Sequence, residues 1–328
     1  MFPLLLLCTF TSLVLAASRV SPPSVCLIVN KSGSGHRTVQ SAVEALSKDS
    51  TSAQCIFIYQ GTYYEQVYVP VLKSALTVYG YTRDTSSYTA NEVTITQSLS
   101  QDNVANNDLT ATLRAHTPNL RVYNINLVNT RGKGSQALAL SAQADRQAYY
   151  AVQFHGYQDT ILANKGMQLY ARCLIVGATD FIFGQTAAAW FEKADIRVLA
   201  ASTGYITANG RDSDVNPSFY VISNSNIAAA SGNVVPAGAY YLGRPWRNYS
   251  RVVFQTTSMS DVVNSAGWRT WNTDDPRTDR VYYGEYKNTG TGSKGTRASF
   301  AKMLNSPVAV ESILGTNYKD WVDGGYFP

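Results

Sequence analysis

Short β-rich runs recur along this chain, separated by turn residues and by no long amphipathic helix. Residues 55–58, 75–79, 93–95, 121–128, 150–154, 173–176, 194–198, 219–222 and 252–255 all read as strands, rich in Val, Ile, Tyr, Phe and Thr. In the middle of the chain the spacing settles near 21 residues, as from Ile175 to Ile196. Later intervals stretch to about 30, read as loops inserted on one face of a repeating coil. Periodic short strands of this kind predict an all-β solenoid; a β-sandwich, with strands every 8–12 residues or so, is the alternative. Helical spacing over residues 39–46 predicts a short cap on the first coil. Residues 288–328 read as a tail packed on the barrel, with one helix over 300–304. Asn124, Asn126, Asn129, Asn224 and Asn226 are expected at coil corners, where asparagine tolerates tight turns.

The same period places two carboxylates together. Asp159 lies in Gly156-Tyr157-Gln158-Asp159-Thr160 and Asp180 in Ala178-Thr179-Asp180-Phe181-Ile182-Phe183-Gly184, 21 positions apart. Residues one coil apart stack on strands about 4.8 Å from each other. Two carboxylates that close in a partly dry wall cannot both ionise easily, so their pKa values split. A split pair is the equipment of a hydrolase working by acid/base or nucleophilic chemistry.

Composition narrows the setting. Charged residues are only 15% of the 328, against roughly 25% in an average soluble protein. The net charge of +5 is scattered rather than gathered into a basic tract, which argues against nucleic-acid binding and leaves room for attraction of an acidic polysaccharide. Residues 1–17 hold an apolar run ending in small residues, too short to span a bilayer. They read as a secretory signal, followed by one catalytic domain over 18–328, a secreted monomer with no membrane span and no pro-region. Cys8 would leave with the signal; Cys26 and Cys55 each begin an apolar run and are expected to pair, leaving Cys173 as a buried free thiol. Asn30 and Asn248 open sequons for glycosylation in a secreted chain.

Several motifs now add up. Gly61-Thr62-Tyr63-Tyr64-Glu65, Gln136-Ala137-Leu138-Ala139-Leu140, Gly156-Tyr157-Gln158-Asp159-Thr160, Asp180-Phe181-Ile182-Phe183-Gly184 and Leu242-Gly243-Arg244-Pro245-Trp246 follow one another in order. Together they resemble the pectin methylesterase family, of the fungal type. The resemblance implies a single-stranded right-handed parallel β-helix with short capping helices. It also implies hydrolysis of methyl esters of polygalacturonate, releasing methanol, with pectin as the partner. The sequence holds no metal-ligand cluster of His, Cys or carboxylate, and no cofactor or metal is expected. By position, Asp180 corresponds to the nucleophile and Asp159 to the group that protonates methanol and then activates water. Gln136 and Gln158 correspond to the oxyanion hole, Arg244 to the residue that holds the nucleophile, and Trp246 and Phe183 to sugar-contacting aromatics. Tyr157 and Trp271 are further candidates to stack on sugar faces.

The residue types suit those roles. A nearby guanidinium lowers the pKa of a nucleophilic carboxylate, and Arg244 can also fix Asp180 with two parallel hydrogen bonds. Asp159 has no cation near it in sequence, as a proton donor should. Taken singly, each residue has a plainer reading: a turn aspartate, a ladder glutamine, a surface arginine, a packing tryptophan. Only the joint pattern argues for chemistry. His155 reads as a satisfied wall position, and no Gly-x-Ser-x-Gly elbow of a serine esterase is present. Leu162 stands where many family members have tyrosine, and Thr179 where many have valine; both bear on subsites rather than on proton transfer. The competing readings are a β-helix glycosidase or lyase on the same polymer and an inactive wall-binding module.

Overall fold

The computed structural model describes residues 17–327, so most of the proposed signal segment lies outside the described residues. Nearly every strand pairs in parallel with the strand one coil before and one coil after it. Three sheets result: sheet A with 11 strands, sheet B with 7 and sheet C with 8. The chain visits them in turn, as in Gln147–Tyr150 on sheet A, Gln153–His155 on sheet C and Ile161–Ala163 on sheet B. This is the right-handed parallel β-helix the sequence implies.

Register carries the 21-residue period into space. Gln147 pairs with Gln168, and Gln168 with Ala189. The next coil is longer: Ala189 pairs with Tyr220. Stacked positions repeat in the interior, giving an aliphatic and aromatic column of Leu127, Phe154, Ile175, Ile196 and Ile227 on sheet C. All are fully buried, as expected for parallel strands. On sheet A the rings of Tyr149, Tyr170 and Phe191 stack at 5.0 and 4.5 Å between centroids, nearly parallel.

The corner between sheets A and C is a single left-handed residue per coil. Asn124, Ala151, Arg172, Lys193, Asn224, Thr256 and Lys287 all have φ between 47° and 55°. Asn124 and Asn224 therefore meet their expectation. Asn126, Asn129 and Asn226 do not; they lie within strands Asn126–Asn129 and Asn226–Ala229. The run over 150–154 is bent at Ala151 rather than straight. A corner that tolerates alanine, arginine, lysine and threonine is imposed by ladders on both sides, not by local preference.

Helix α1 (Val39–Glu44) caps the first coil, with Val39, Ala42 and Val43 buried. Glu65 accepts from the backbone N–H groups of Val39 and Gln40, at 2.8 Å each, and so holds its N-terminus. Cys26 and Cys55 are joined by a disulfide, beside the pairing of Leu27 with Ile56, and Cys173 is a buried free thiol. The expected helix over 300–304 is instead a strand, Ala301–Met303, which extends sheet A by pairing Tyr283 with Ala301. Five residues, Phe300 to Leu304 with Lys302 in their middle, show no decisive period, and the open sheet edge took them. The tail then crosses the outer face of sheet A. Tyr326 packs on Tyr123 and Tyr150, and the backbone N–H of Asp323 donates to the Tyr150 hydroxyl at 2.7 Å.

The ring column predicts a local stability test. Phe191→Ala should lower unfolding free energy by about 3–5 kcal/mol, read from chemical denaturation, because the coils above and below prevent collapse of the void. A loss below about 1 kcal/mol would show that the column is not under that constraint.

Candidate active site

Asp159 and Asp180 occupy equivalent turns between sheets C and B. Gln158 bridges in parallel to Thr179, and the Asp159 N–H donates to the Thr179 carbonyl at 3.0 Å, so the aspartates follow in register one coil apart. Both have left-handed backbones, with φ of 64° and 50°. Non-glycine residues pay a small strain for that conformation, and it is often held at functional positions. Both side chains face a cavity of about 270 Å³ lined also by Gln136, Gln158, Arg244, Trp246, Phe183 and Trp271.

Arg244 enters from the end of strand Tyr240–Gly243 on sheet B. Its strand packs closely on the one before: a Cβ at Gly243 would fall 2.1 Å from Thr207 Oγ1. Arg244 Nε donates to Asp180 Oδ1 at 2.9 Å and Nη2 to Oδ2 at 2.6 Å. This is the two-pronged geometry that aligns a carboxylate. The guanidinium packs against the rings of Tyr205 and Trp271, at 4.0 and 4.3 Å from their centroids. Trp271 carries Arg277 on the same ring system at 4.9 Å, and Arg277 Nη1 donates to the Trp246 carbonyl, joining the two aromatic loops.

Phe183 and Trp246 form one wall, 5.9 Å between ring centroids. Trp246 lies against the backbone at Gly210, where a Cβ would come within 2.6 Å of its ring. Leu162 pairs with Phe183, and Phe183 with Ala208, so the leucine that replaces tyrosine extends the same apolar strip.

The two carboxylates differ in surroundings. Burial pushes Asp159 well above the ordinary range, and the negative charge of Asp180 adds to it. Burial also raises Asp180, while Arg244 pulls it back. The expected lowering by Arg244 is therefore present but smaller than the effect of burial, which leaves Asp180 above its usual value. Asp180 is still the easier of the two to ionise, because only Asp180 is bonded to the cation.

A family model described as Pectinesterase matches residues 26–309. The chain is 52% identical over 319 residues to the pectinesterase of Aspergillus niger, covering 97% of this chain and 96% of that protein. It is 51% identical over 321 residues to the pectinesterase of Aspergillus aculeatus, covering 97% of each. The chain belongs to the pectinesterase family. Among solved structures, the pectin methylesterase of Aspergillus niger superposes with a TM-score of 0.88 at 40% identity, covering 94% of this chain and 100% of that one. Pectin methylesterase from carrot gives 0.78 at 31% identity, covering 95% and 98%. A pectinesterase is a carboxylic ester hydrolase, and this chain carries that activity on the methyl esters of polygalacturonate.

Not every candidate is at the pectinesterase cavity. Tyr157 does not line it; half-buried, it packs against the core, and its hydroxyl donates to the Ala200 carbonyl at 3.4 Å. His155 pairs with Gln153 Oε1 at 2.9 Å, and burial lowers its pKa. Asn248 is exposed in the loop after Trp246, whereas Asn30 is half-buried and accepts from the Ser32 N–H. Two residues at the site were not anticipated. Tyr205 flanks Arg244, and Asn107 lines the cavity and donates from Nδ2 to Asp159 Oδ2 at 3.3 Å. Tyr205 stands one coil before Tyr241, a stacking that register alone could have exposed. Asn107 carries no such signal.

The raised pKa of Asp159 has a stability consequence. Below about pH 4 the group is protonated in both folded and unfolded chains and contributes nothing. As pH rises, the unfolded chain ionises first, so the native protein loses stability until pH passes the raised native pKa. Asp159→Asn should therefore unfold at a higher temperature than wild type near neutral pH, with the gap closing at acid pH. A gap independent of pH in thermal melts would contradict this.

Proposed function

We propose that this pectinesterase works through an aspartyl nucleophile and a neighbouring aspartic acid. A carboxylate oxygen of Asp180 attacks the methyl-ester carbonyl carbon of a galacturonate residue. The carbonyl π electrons move onto oxygen, where the amides of Gln136 and Gln158 donate to the developing charge. Neither side-chain amide is hydrogen-bonded to another protein group among the described residues, so both are free for that task. The C–OCH₃ bond then breaks, and Asp159 gives its proton to the leaving oxygen, releasing methanol and leaving an anhydride with Asp180. Asp159, now ionised, takes a proton from water as the water attacks the anhydride. The bond to Asp180 breaks and returns its charge, Asp159 keeps the proton taken from water, and the galacturonic acid gives its remaining proton to solvent and leaves as galacturonate.

The observation that carries this reading is the asymmetry of the pair. Arg244 binds both oxygens of Asp180, while Asp159 has no cation bonded to it. Phe183, Trp246 and Trp271 all line the cavity and offer apolar faces to sugar rings, and methyl-esterified homogalacturonan is the partner we infer. Secretion of a monomer past residues 1–17, with glycans at Asn30 and Asn248, belongs to the same reading. No helix among the described residues is long and apolar enough to cross a membrane.

Asp180→Ala should abolish methanol release from highly methylated pectin while the far-ultraviolet spectrum and melting behaviour remain those of a folded β-helix. Methanol release at the wild-type rate would refute the nucleophile. Gln136→Ala or Gln158→Ala should each lower kcat by about 10²–10³, the usual loss for one oxyanion donor. A change confined to KM would contradict that role.

A further inference from the structure

Asn107 reaches Asp159 from outside the stack of coils. It opens helix α2 (Asn107–Thr110), a single turn in the connection between strands Val93–Gln97 and Leu113–Ala115. A turn that short has little stability of its own, yet it is fastened at both ends. At its start, Asp108 Oδ2 accepts from Arg114 Nε and Nη2 at 3.0 and 2.7 Å, and Oδ1 accepts from Ser141 Oγ at 2.7 Å and meets His116 Nε2 at 2.9 Å. Arg114 and Ser141 sit on consecutive strands of sheet B. At its end, amides of Gln66, Gln97 and Asn129 donate to the carbonyls of Leu109, Thr110 and Ala111.

The side chain is oriented as well as placed. Gln101 Nε2 donates to Asn107 Oδ1 at 2.6 Å, which directs the Asn107 NH₂ group toward Asp159 Oδ2. Among the described residues, Oδ1 of Asp159 takes no protein hydrogen bond. One oxygen of the carboxyl is thus occupied and the other is left for the cavity.

We propose that Asn107 is a positioning residue for proton transfer, holding Oδ2 of Asp159 so that Oδ1 delivers the proton to methanol and collects it from water, with Asp108 as its anchor. This rests on the role given to Asp159 above. The bond is neutral while Asp159 is protonated and becomes charge-assisted, hence stronger, once the proton has left. It therefore favours the state that forms as methanol departs. The charged groups facing Asp159 are Asp180 and Arg244; Asp108, Arg114 and His116 stand behind the Asn107 turn.

The test is methanol release across pH for wild type, Asn107→Ala, Asn107→Ser and Asp159→Asn. Asn107→Ala should lower kcat about tenfold, the loss of one hydrogen bond to a charged group, with KM within about twofold. Its alkaline limb of kcat/KM should move to higher pH, because Asp159 then keeps its proton longer. Asn107→Ser, which restores a donor, should recover part of both effects. A uniform loss with both limbs in place, or wild-type behaviour in Asn107→Ala, overturns the proposal while leaving the role of Asp159 standing if Asp159→Asn is inactive. If Asp159→Asn retains wild-type activity and its alkaline limb, the role of Asp159 fails, and this proposal fails with it.

Discussion

Parallel pairing of successive coils at a fixed register is the constraint on which the site depends. Once Gln158 pairs with Thr179, Asp159 has no place to go except beside Asp180. The ladders on either side hold both residues in left-handed backbones that they would not choose alone. Register likewise brings Tyr205 beside Tyr241, and places Arg244 directly after a strand paired to Gly204–Asn209. A shift of one residue would turn every outward side chain into the barrel. The precision of the site is therefore inherited from the packed interior column, not from the loops that ornament it.

Electrostatics then divides the labour. Burial alone would raise both carboxyls and make them alike. The guanidinium breaks that symmetry, because it is bonded to Asp180 at both oxygens and to Asp159 at neither. Tyr205 and Trp271 both pack their rings against the guanidinium, which helps hold it in place before substrate arrives. The surroundings that raise Asp159 also tax the folded state at neutral pH. A site of this kind trades stability for chemistry, as active sites commonly do.

The solenoid and its carboxylate pair were legible because both are periodic: stacked apolar runs and two aspartates share one spacing. The short helix Val39–Glu44 was legible from apolar spacing, although that spacing runs on to Leu46 beyond its end. What was not legible came from outside the period. The left-handed corners at Ala151, Arg172 and Lys193 carry no residue preference, so the straight run over 150–154 concealed a bend. Residues 300–304 read as a helix in sequence, because the strand Ala301–Met303 depends on the free edge of sheet A, which local sequence does not show. Tyr157 is beside a site residue in sequence but packs against the core rather than lining the cavity. Asn107 precedes Asp159 by half a hundred residues and meets it through a turn held by Asp108. No local pattern encodes such a meeting.

The central claim is that one carboxyl of the pair carries a proton in the resting enzyme and that it belongs to Asp159. Infrared difference spectroscopy of the folded protein at its working pH tests this directly, through the C=O stretch of a protonated carboxyl group. The account predicts a band that disappears in Asp159→Asn and persists in Asp180→Asn. A band that survives in Asp159→Asn and is lost in Asp180→Asn would reverse the roles of the two residues and contradict it.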